Sequence, residues 1–152
     1  MNRFEISSTV AASPLQAWHW ITSVQGIGAE LSPFLRMSSP KGIEALPDLQ
    51  FVPGKPLFRS IIYLFGVLPV DYSNLTLLEL KPGVGFIEQS PMGSMKHWRH
   101  ERIIRPLPVG CEVTDVLIFQ PRFASALSSW IVKKLFTHRH AVLRSRLGAA
   151  RA

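Results

Sequence analysis

The sequence predicts an α+β domain in which a curved antiparallel sheet packs against one long C-terminal helix. The length of 152 residues suits one domain. Between residues 57 and 120, strand-like segments follow one another with only short turns between them, which indicates an antiparallel meander. The final segment, 122–147, has helical periodicity and is long enough to cover an apolar face of that sheet.

The first elements follow from local patterns. Residues 2–10 alternate between polar and apolar side chains, which predicts a strand. A helix is expected to begin after Ser13, because serine caps free N–H groups and Pro14 suits the first helical position. Residues 26–35 predict a short second helix or turn. Two glycines there match part of a dinucleotide fingerprint, but the third is missing and no strand precedes them, so nucleotide binding is not expected.

Turn residues divide the centre of the chain. The segment 40–56 contains four prolines and two glycines and is expected to be a long loop. Strands are expected after it at 57–67, 72–80, 84–90, 95–105 and 111–120. The final helix carries an apolar stripe that we expect to face the sheet, formed by Phe123, Leu127, Trp130, Ile131 and Leu135. Gly148 is well placed to end this helix.

This order of elements resembles that of the START-like superfamily, also called SRPBCC or helix-grip. Residue pairs similar to those of a bacterial ligand-binding subgroup are Glu88 and Gln89, Trp98 and His100, and Thr114 and Asp115. The resemblance covers nearly all of the chain and implies one domain, 1–152, with a helix-grip fold and a cavity between sheet and helix. It implies no particular reaction, because this fold hosts carriers, sensors and enzymes.

Candidate site residues come from alternation along two neighbouring strands. The inward face of the strand at 95–105 is formed by Trp98, His100, Arg102 and Ile104, and its other face is charged. Asp115 lies on an otherwise apolar face of the next strand, where antiparallel pairing would bring it near His100. The candidate ligand contacts are Phe86, Glu88, Trp98, His100, Asp115, Phe119, Leu127 and Trp130.

Three interpretations of this cluster stay open. In the first, Asp115 only satisfies a buried polar group such as His100 or Arg102. In the second, these groups orient a small hydrophobic or amphipathic ligand in a mostly apolar cavity, which is the function we expect. In the third, His100 held by Asp115 is the acid or base of a cyclase or dehydratase type of enzyme.

Metal and cofactor sites are not expected. His97 and His100 lie on opposite faces of their strand and cannot share an ion. Cys111 is the only cysteine, which is too few for a structural zinc site or an internal disulfide. A single cysteine and an N-terminus without a long apolar core favour a reducing, cytoplasmic location.

The net charge of +7 is confined to one segment. Residues 1–121 hold ten basic and ten acidic side chains, whereas residues 122–152 hold seven basic and no acidic ones. A basic amphipathic helix is typical of transient docking on membranes, which makes a lipid carrier a further alternative. Cations near a helix C-terminus also simply favour its dipole. No nucleic-acid reading motif is found, so no nucleic-acid partner is expected.

The strand-like segment 58–70 is apolar on both faces. Ile61 and Tyr63 lie on one face, and Ile62 and Leu64 on the other. One face would border the cavity, and a contiguous apolar patch left exposed by the other is unusual for a soluble monomer. We expect either the 40–56 loop or a partner subunit to cover it, and a homodimer is the preferred alternative.

Overall fold

The computed structural model describes residues 1–148. The strands are β1 Asn2–Val10, β2 Leu35–Met37, β3 Pro56–Leu64, β4 Leu68–Lys81, β5 Gly85–Gln89, β6 Met95–Pro106 and β7 Cys111–Pro121. The helices are α1 Pro14–Thr22, α2 Val24–Leu31 and α3 Ser125–Leu147, and a single 3-10 turn lies at Leu46–Asp48. Among residues 1–148, no helix combines the length and the hydropathy that crossing a bilayer requires.

The seven strands form one antiparallel sheet in the order β1-β7-β6-β5-β4-β3-β2. Strands β3 to β7 are a meander, whereas β1 lies at the far edge and pairs with β7. The long helix α3 packs against β1, β7 and α2. The α+β helix-grip class predicted from the sequence is therefore confirmed.

The start of α1 follows the predicted capping chemistry. The Ser13 hydroxyl accepts a hydrogen bond from the Gln16 backbone N–H at 3.2 Å, and the Gln16 side chain accepts one from the Ser13 N–H at 2.9 Å. Pro14 occupies the first helical position. The helix then buries Trp18 and Ile21 in the core beside β6 and β7.

The boundary between β3 and β4 differs from the prediction. The turn lies at residues 65–67, because Phe65 and Gly66 both take positive φ, 50° and 77°, and reverse the chain there. Strand β4 consequently begins at Leu68 and is longer than the expected 72–80. The short strand β2, which the sequence analysis did not assign, pairs with the end of β3.

The predicted buried stripe of α3 is wrong. Phe123, Leu127, Trp130 and Ile131 are 74%, 57%, 58% and 50% exposed. The buried residues of the helix are instead Val132, Phe136, Arg139, His140 and Leu143. The physical reason is that the sheet and α2 present buried carboxylates, so Arg139 and His140 are favoured on the inward face although they are polar.

Two arginines partly cover the outer face of β3 and β4. The guanidinium of Arg36 lies 4.1 Å from the centre of the Tyr63 ring, and that of Arg59 lies 4.6 Å from the Tyr72 ring. Side chains of the sheet itself therefore shield part of the apolar face for which a loop or a second subunit was expected. The homodimer stays a prediction.

Candidate functional site: an apolar cavity beside a buried charge network

A cavity of about 710 Å³ lies between the two short helices, the sheet and α3. Its apolar wall includes Ile21, Val24, Ile27, Leu31, Phe58, Leu75, Leu77 and Phe86. The turn residues Phe65 and Gly66 also line it, and Phe65 is exposed, so the cavity reaches the surface beside this turn. A volume of this size suits a small organic ligand.

Three ionisable side chains border the cavity at its inner end. They are Glu88 on β5, His100 on β6 and Arg139 on α3. The pairing of β5 with β6 places Glu88 opposite His100, and the closest carboxylate oxygen lies 3.7 Å from His100 Nδ1. The Ser90 hydroxyl donates to Glu88 at 2.7 Å. The apolar cavity thus has one polar region.

Behind this polar region, Arg102 links two buried carboxylates. Its Nη1 and Nη2 donate to both oxygens of Glu30 at 3.1 and 2.8 Å. Its Nε and Nη2 donate to both oxygens of Asp115 at 2.8 Å. All three side chains are fully buried. Such bidentate pairing satisfies charges that would otherwise be costly to bury.

Asp115 has two further partners. His100 Nε2 lies 2.6 Å from Oδ1, and His140 Nε2 lies 2.7 Å from Oδ2. The other ring nitrogen of His140 is 2.8 Å from the hydroxyl of Ser8 on β1. Asp115 therefore joins β7 to β6 and α3, and its two oxygens together meet four donor positions.

The charges of the network shift the pKa of each acid. Burial disfavours the ionised form of Asp115, but Arg102 and His100 outweigh this and hold its pKa well below the ordinary range. Burial acts in the same direction on Glu30, and Arg102 with Arg139 lowers the pKa of that carboxyl. Both carboxylates are therefore ionised at neutral pH.

His100 shifts in the opposite direction. Burial disfavours its charged form, but the carboxylate of Asp115, assisted by Glu88, raises its pKa above the ordinary value. Its ring packs edge-to-face against Phe86 and Phe136, with centroids 5.6 and 5.1 Å apart. The protonated imidazole is therefore favoured at the cavity wall, where it acts as a hydrogen-bond donor.

The structure brings part of the predicted set to the cavity. Phe86, Glu88 and His100 line it, and Asp115 is fully buried behind His100. Their roles in binding or catalysis stay predictions. The other four predicted contacts do not line the cavity and are Trp98, Phe119, Leu127 and Trp130.

The four misplaced residues have two different fates. Trp98 packs against Phe119 and Phe136, with ring centroids 6.0 and 6.1 Å apart, in a separate core cluster. The inward direction of Trp98 was predicted correctly, but this end of the sheet is filled by α3 and leaves no open space. Leu127 and Trp130 are exposed, because α3 turns its other face to the sheet.

The sequence analysis missed three members of the network, Glu30, Arg139 and His140. A signal was present in the helix: Arg139 and His140 lie between Phe136 and Leu143 at helical spacing, so they share an apolar face. Glu30 similarly follows Ile27 by three residues. Polar residues on an apolar helical face predict buried partners, which here are Asp115 and Arg102.

The ionisable cluster is not arranged as a metal site. Within residues 1–148, no group of three or more His, Cys, Asp or Glu side chains could hold a metal ion. The nitrogens of His100 and His140 that approach Asp115 lie on different oxygens of that carboxylate.

With the geometry established, comparison with known proteins identifies the family. The chain belongs to the family described as Domain of unknown function (DUF8410), whose model matches residues 8–147. No curated protein matches the sequence.

Solved structures with the same fold are distant in sequence. Protein CV1439 from Chromobacterium violaceum has a TM-score of 0.72 at 12% identity, with 99% of this chain and 100% of that chain covered. The ZhuI aromatase/cyclase from Streptomyces sp. R1128 has a TM-score of 0.68 at 11% identity, covering 98% and 99%. A START superfamily protein from Mycobacterium smegmatis has a TM-score of 0.68 at 9% identity, covering 95% and 96%. The START-like fold that the resemblance implied is thereby confirmed.

Proposed function

We propose that this protein binds a small, mostly apolar molecule that carries at least one hydrogen-bonding group. The observation that supports this proposal is the convergence of Glu88, His100 and Arg139 on one region of an apolar cavity of about 710 Å³. Small-molecule sites are usually built in this way, with apolar walls for affinity and a few polar groups for orientation.

Arg139 is the group best arranged to meet the ligand. Its Nε donates to Glu30 at 3.1 Å, which holds the guanidinium in place. Within residues 1–148, its terminal nitrogens donate to no protein acceptor at hydrogen-bonding distance. They are therefore free to donate to a carbonyl, hydroxyl or carboxylate oxygen of the ligand. His100 supplies a second donor, and Glu88 supplies an acceptor.

Filling the cavity tests the proposal directly. Gly28 on α2 lines the cavity, and a Cβ added there would meet no atom within 4 Å. Gly28→Leu should therefore fold, occupy ligand space and lower the affinity for an apolar fluorescent probe by about tenfold or more. Gln25→Leu is the matched control, because it adds the same side chain to the same helix at an exposed position outside the cavity.

The natural ligand is best sought by native mass spectrometry of protein purified from its own host. We expect a co-purified small molecule with the wild type and the Gln25→Leu control, and its loss with Gly28→Leu. Equal probe affinity for both variants would show that the cavity is not the binding site. The proposal would then be wrong.

An enzyme of the cyclase or dehydratase type is the second candidate. The observation in its favour is that His100 lines the cavity and is oriented by Asp115 at 2.6 Å, an arrangement suited to proton transfer. Its raised pKa suits a general acid that protonates a ligand oxygen. Against it, Asp115 is already engaged by Arg102 and His140, which favours a role in holding the fold.

Chemical change of the co-purified molecule separates the two candidates. Wild-type protein and His100→Gln should be incubated with the extracted ligand and the products compared by mass spectrometry. Recovery of unchanged ligand from both supports binding alone. A new product formed only by the wild type would support the enzyme.

A further inference from the structure

The first half of α3 carries an apolar surface that faces away from the protein. We define the Trp130 face as the side chains of Phe123, Leu127, Trp130 and Ile131. All four are at least half exposed. Large apolar side chains are scattered singly on most protein surfaces, but four within nine residues form a continuous feature of the kind that marks an interaction site.

The Trp130 face is separate from the buried face of the same helix. At about 100° per residue, Leu127, Trp130 and Ile131 fall within about 100° of one another. Val132 and Phe136, which contact the core, lie on the opposite side of the helix. The segment around Trp130 is therefore apolar on two sides, one of which the sheet already covers.

Helix α2 leaves this surface uncovered. The segment that follows α2 meets α3 at His138, whose Nε2 lies 2.7 Å from the Ser32 carbonyl oxygen. The Phe34 ring packs edge-to-face on the same imidazole, with centroids 4.9 Å apart. These contacts lie two turns of helix beyond Trp130, so the helix packing ends before it reaches the Trp130 face.

Basic side chains surround the Trp130 face. Arg122 precedes it, and Lys133 and Lys134 follow it, with Lys134 Nζ 5.9 Å from the centre of the Trp130 ring. No acidic residue occurs from 122 to the end of the chain. Trp beside Leu, Ile and Phe, bordered by lysines with long apolar stems, is the composition of helices that lie in the headgroup region of membranes.

The Trp130 face lies at the same end of the sheet as the cavity opening. The Arg122 N–H donates to the Ser94 carbonyl at 3.0 Å, and the Ser94 N–H donates to Asp71 at 3.0 Å. Asp71 belongs to β4, whose preceding turn contains the cavity residue Phe65 and the exposed Val67. An apolar surface in contact with the Trp130 face would therefore also be near the cavity opening.

We propose that the Trp130 face docks on an anionic lipid surface. Aromatic and aliphatic side chains would enter the headgroup boundary, while Arg122, Lys133 and Lys134 would meet lipid phosphates. A second copy of the chain fits this surface less well. A symmetric dimer would place the same basic cluster on both sides of one interface, where like charges repel.

Vesicle sedimentation tests the proposal with the intact protein. The probe is a phosphatidylcholine vesicle containing about one third phosphatidylglycerol, compared with pure phosphatidylcholine, at about 0.01 M and about 1 M salt. The wild type should sediment with the anionic vesicles at low salt and be released at high salt. Leu127→Ser combined with Trp130→Ser should weaken this binding by at least about tenfold.

Two matched controls separate this surface from general stickiness and general charge. Val84→Ser with Val109→Ser removes two exposed apolar side chains at the opposite end of the sheet and should bind like the wild type. Lys133→Gln with Lys134→Gln should weaken binding to the anionic vesicles. Lys41→Gln with Lys55→Gln removes the same charge elsewhere and should weaken it far less.

Three outcomes would overturn the proposal. One is a wild type that sediments with neither vesicle at low salt. Another is equal loss of binding in the Val84 and Val109 control. The third is a dimer, seen by analytical ultracentrifugation at micromolar concentration, that the Leu127 and Trp130 variant dissociates, because the Trp130 face would then be a contact between two copies. Thermal unfolding of each variant confirms that it is folded.

Discussion

The two halves of α3 differ in what holds them, although both belong to one continuous helix. In the second half, Arg139 and His140 pair with Glu30 and Asp115, and Leu143 is fully buried. In the first half, the large apolar side chains point outward. The difference teaches that side-chain polarity does not by itself tell which face of this helix is buried, because buried carboxylates elsewhere make polar residues the better partners.

Removing the shared carboxylate should have the largest effect on this comparison. Asp115→Ala leaves Arg102 without one of its two buried partners and frees His100 and His140. We expect the free energy of unfolding to fall by about 3–5 kcal/mol. Urea unfolding at neutral pH measures this change.

Glu112→Ala is the control for that substitution. Glu112 lies on the same strand and also pairs with an arginine, Arg105, at 2.6 Å, but that arginine is exposed. Pairs of this kind contribute about 0–1 kcal/mol. Equal losses for Asp115→Ala and Glu112→Ala would contradict the view that the buried network anchors α3.

The same substitution in each half of α3 sharpens the comparison. Leu143→Ala removes a fully buried side chain and should destabilise the protein by about 2–5 kcal/mol. Leu127→Ala removes an exposed one and should change stability by no more than about 0.5 kcal/mol. Chemical unfolding of both variants gives the answer, and a large loss for Leu127→Ala would mean that this side chain is buried in solution.

The dependence of stability on pH should reveal His100. Its folded pKa is raised above the unfolded value, so its stabilisation is fully present below about 6.5 and is lost as the pH rises through the folded pKa. His100→Gln keeps a donor for Asp115 but does not titrate. The stability advantage of the wild type over this variant should therefore shrink toward alkaline pH. An advantage that grows instead would show that the imidazole is buried in its neutral form.

Asp115 and Glu30 should act at the other end of the pH range. Their folded pKa values are lowered, so their stabilisation is present above the unfolded values near 4 and is lost as the pH falls through the folded ones. Acid unfolding followed by circular dichroism should show a transition that Glu30→Gln shifts, since this variant no longer titrates there.

Much of the fold could be predicted because strand alternation and turn chemistry act locally. The face shared by Trp98, His100, Arg102 and Ile104 is set by alternation alone, and the pairing of β6 with β7 then brings Asp115 beside it. The approach of His100 to Asp115 could therefore be expected from two strands and the turn between them.

The remaining parts of the site depend on contacts between distant segments. Glu30 and Arg139 are separated by 109 positions and meet only when α2 and α3 pack together. No local pattern specifies which helix face does this, and the apolar residues around Trp130 favoured the wrong one. The extent of the cavity also depended on β2, whose three residues are too few for a periodic signal.

The pairing of β1 with β7 delays folding until synthesis is nearly finished. The first strand emerges from the ribosome at the start of translation, yet its partner begins at Cys111. Until then both the first strand and Arg102 lack their partners, so a nascent chain ending before β7 should be cut readily by protease, whereas the released protein should resist. Because such a chain exposes apolar strands throughout its synthesis, chaperone binding during translation is where this topology makes its greatest demand on the cell.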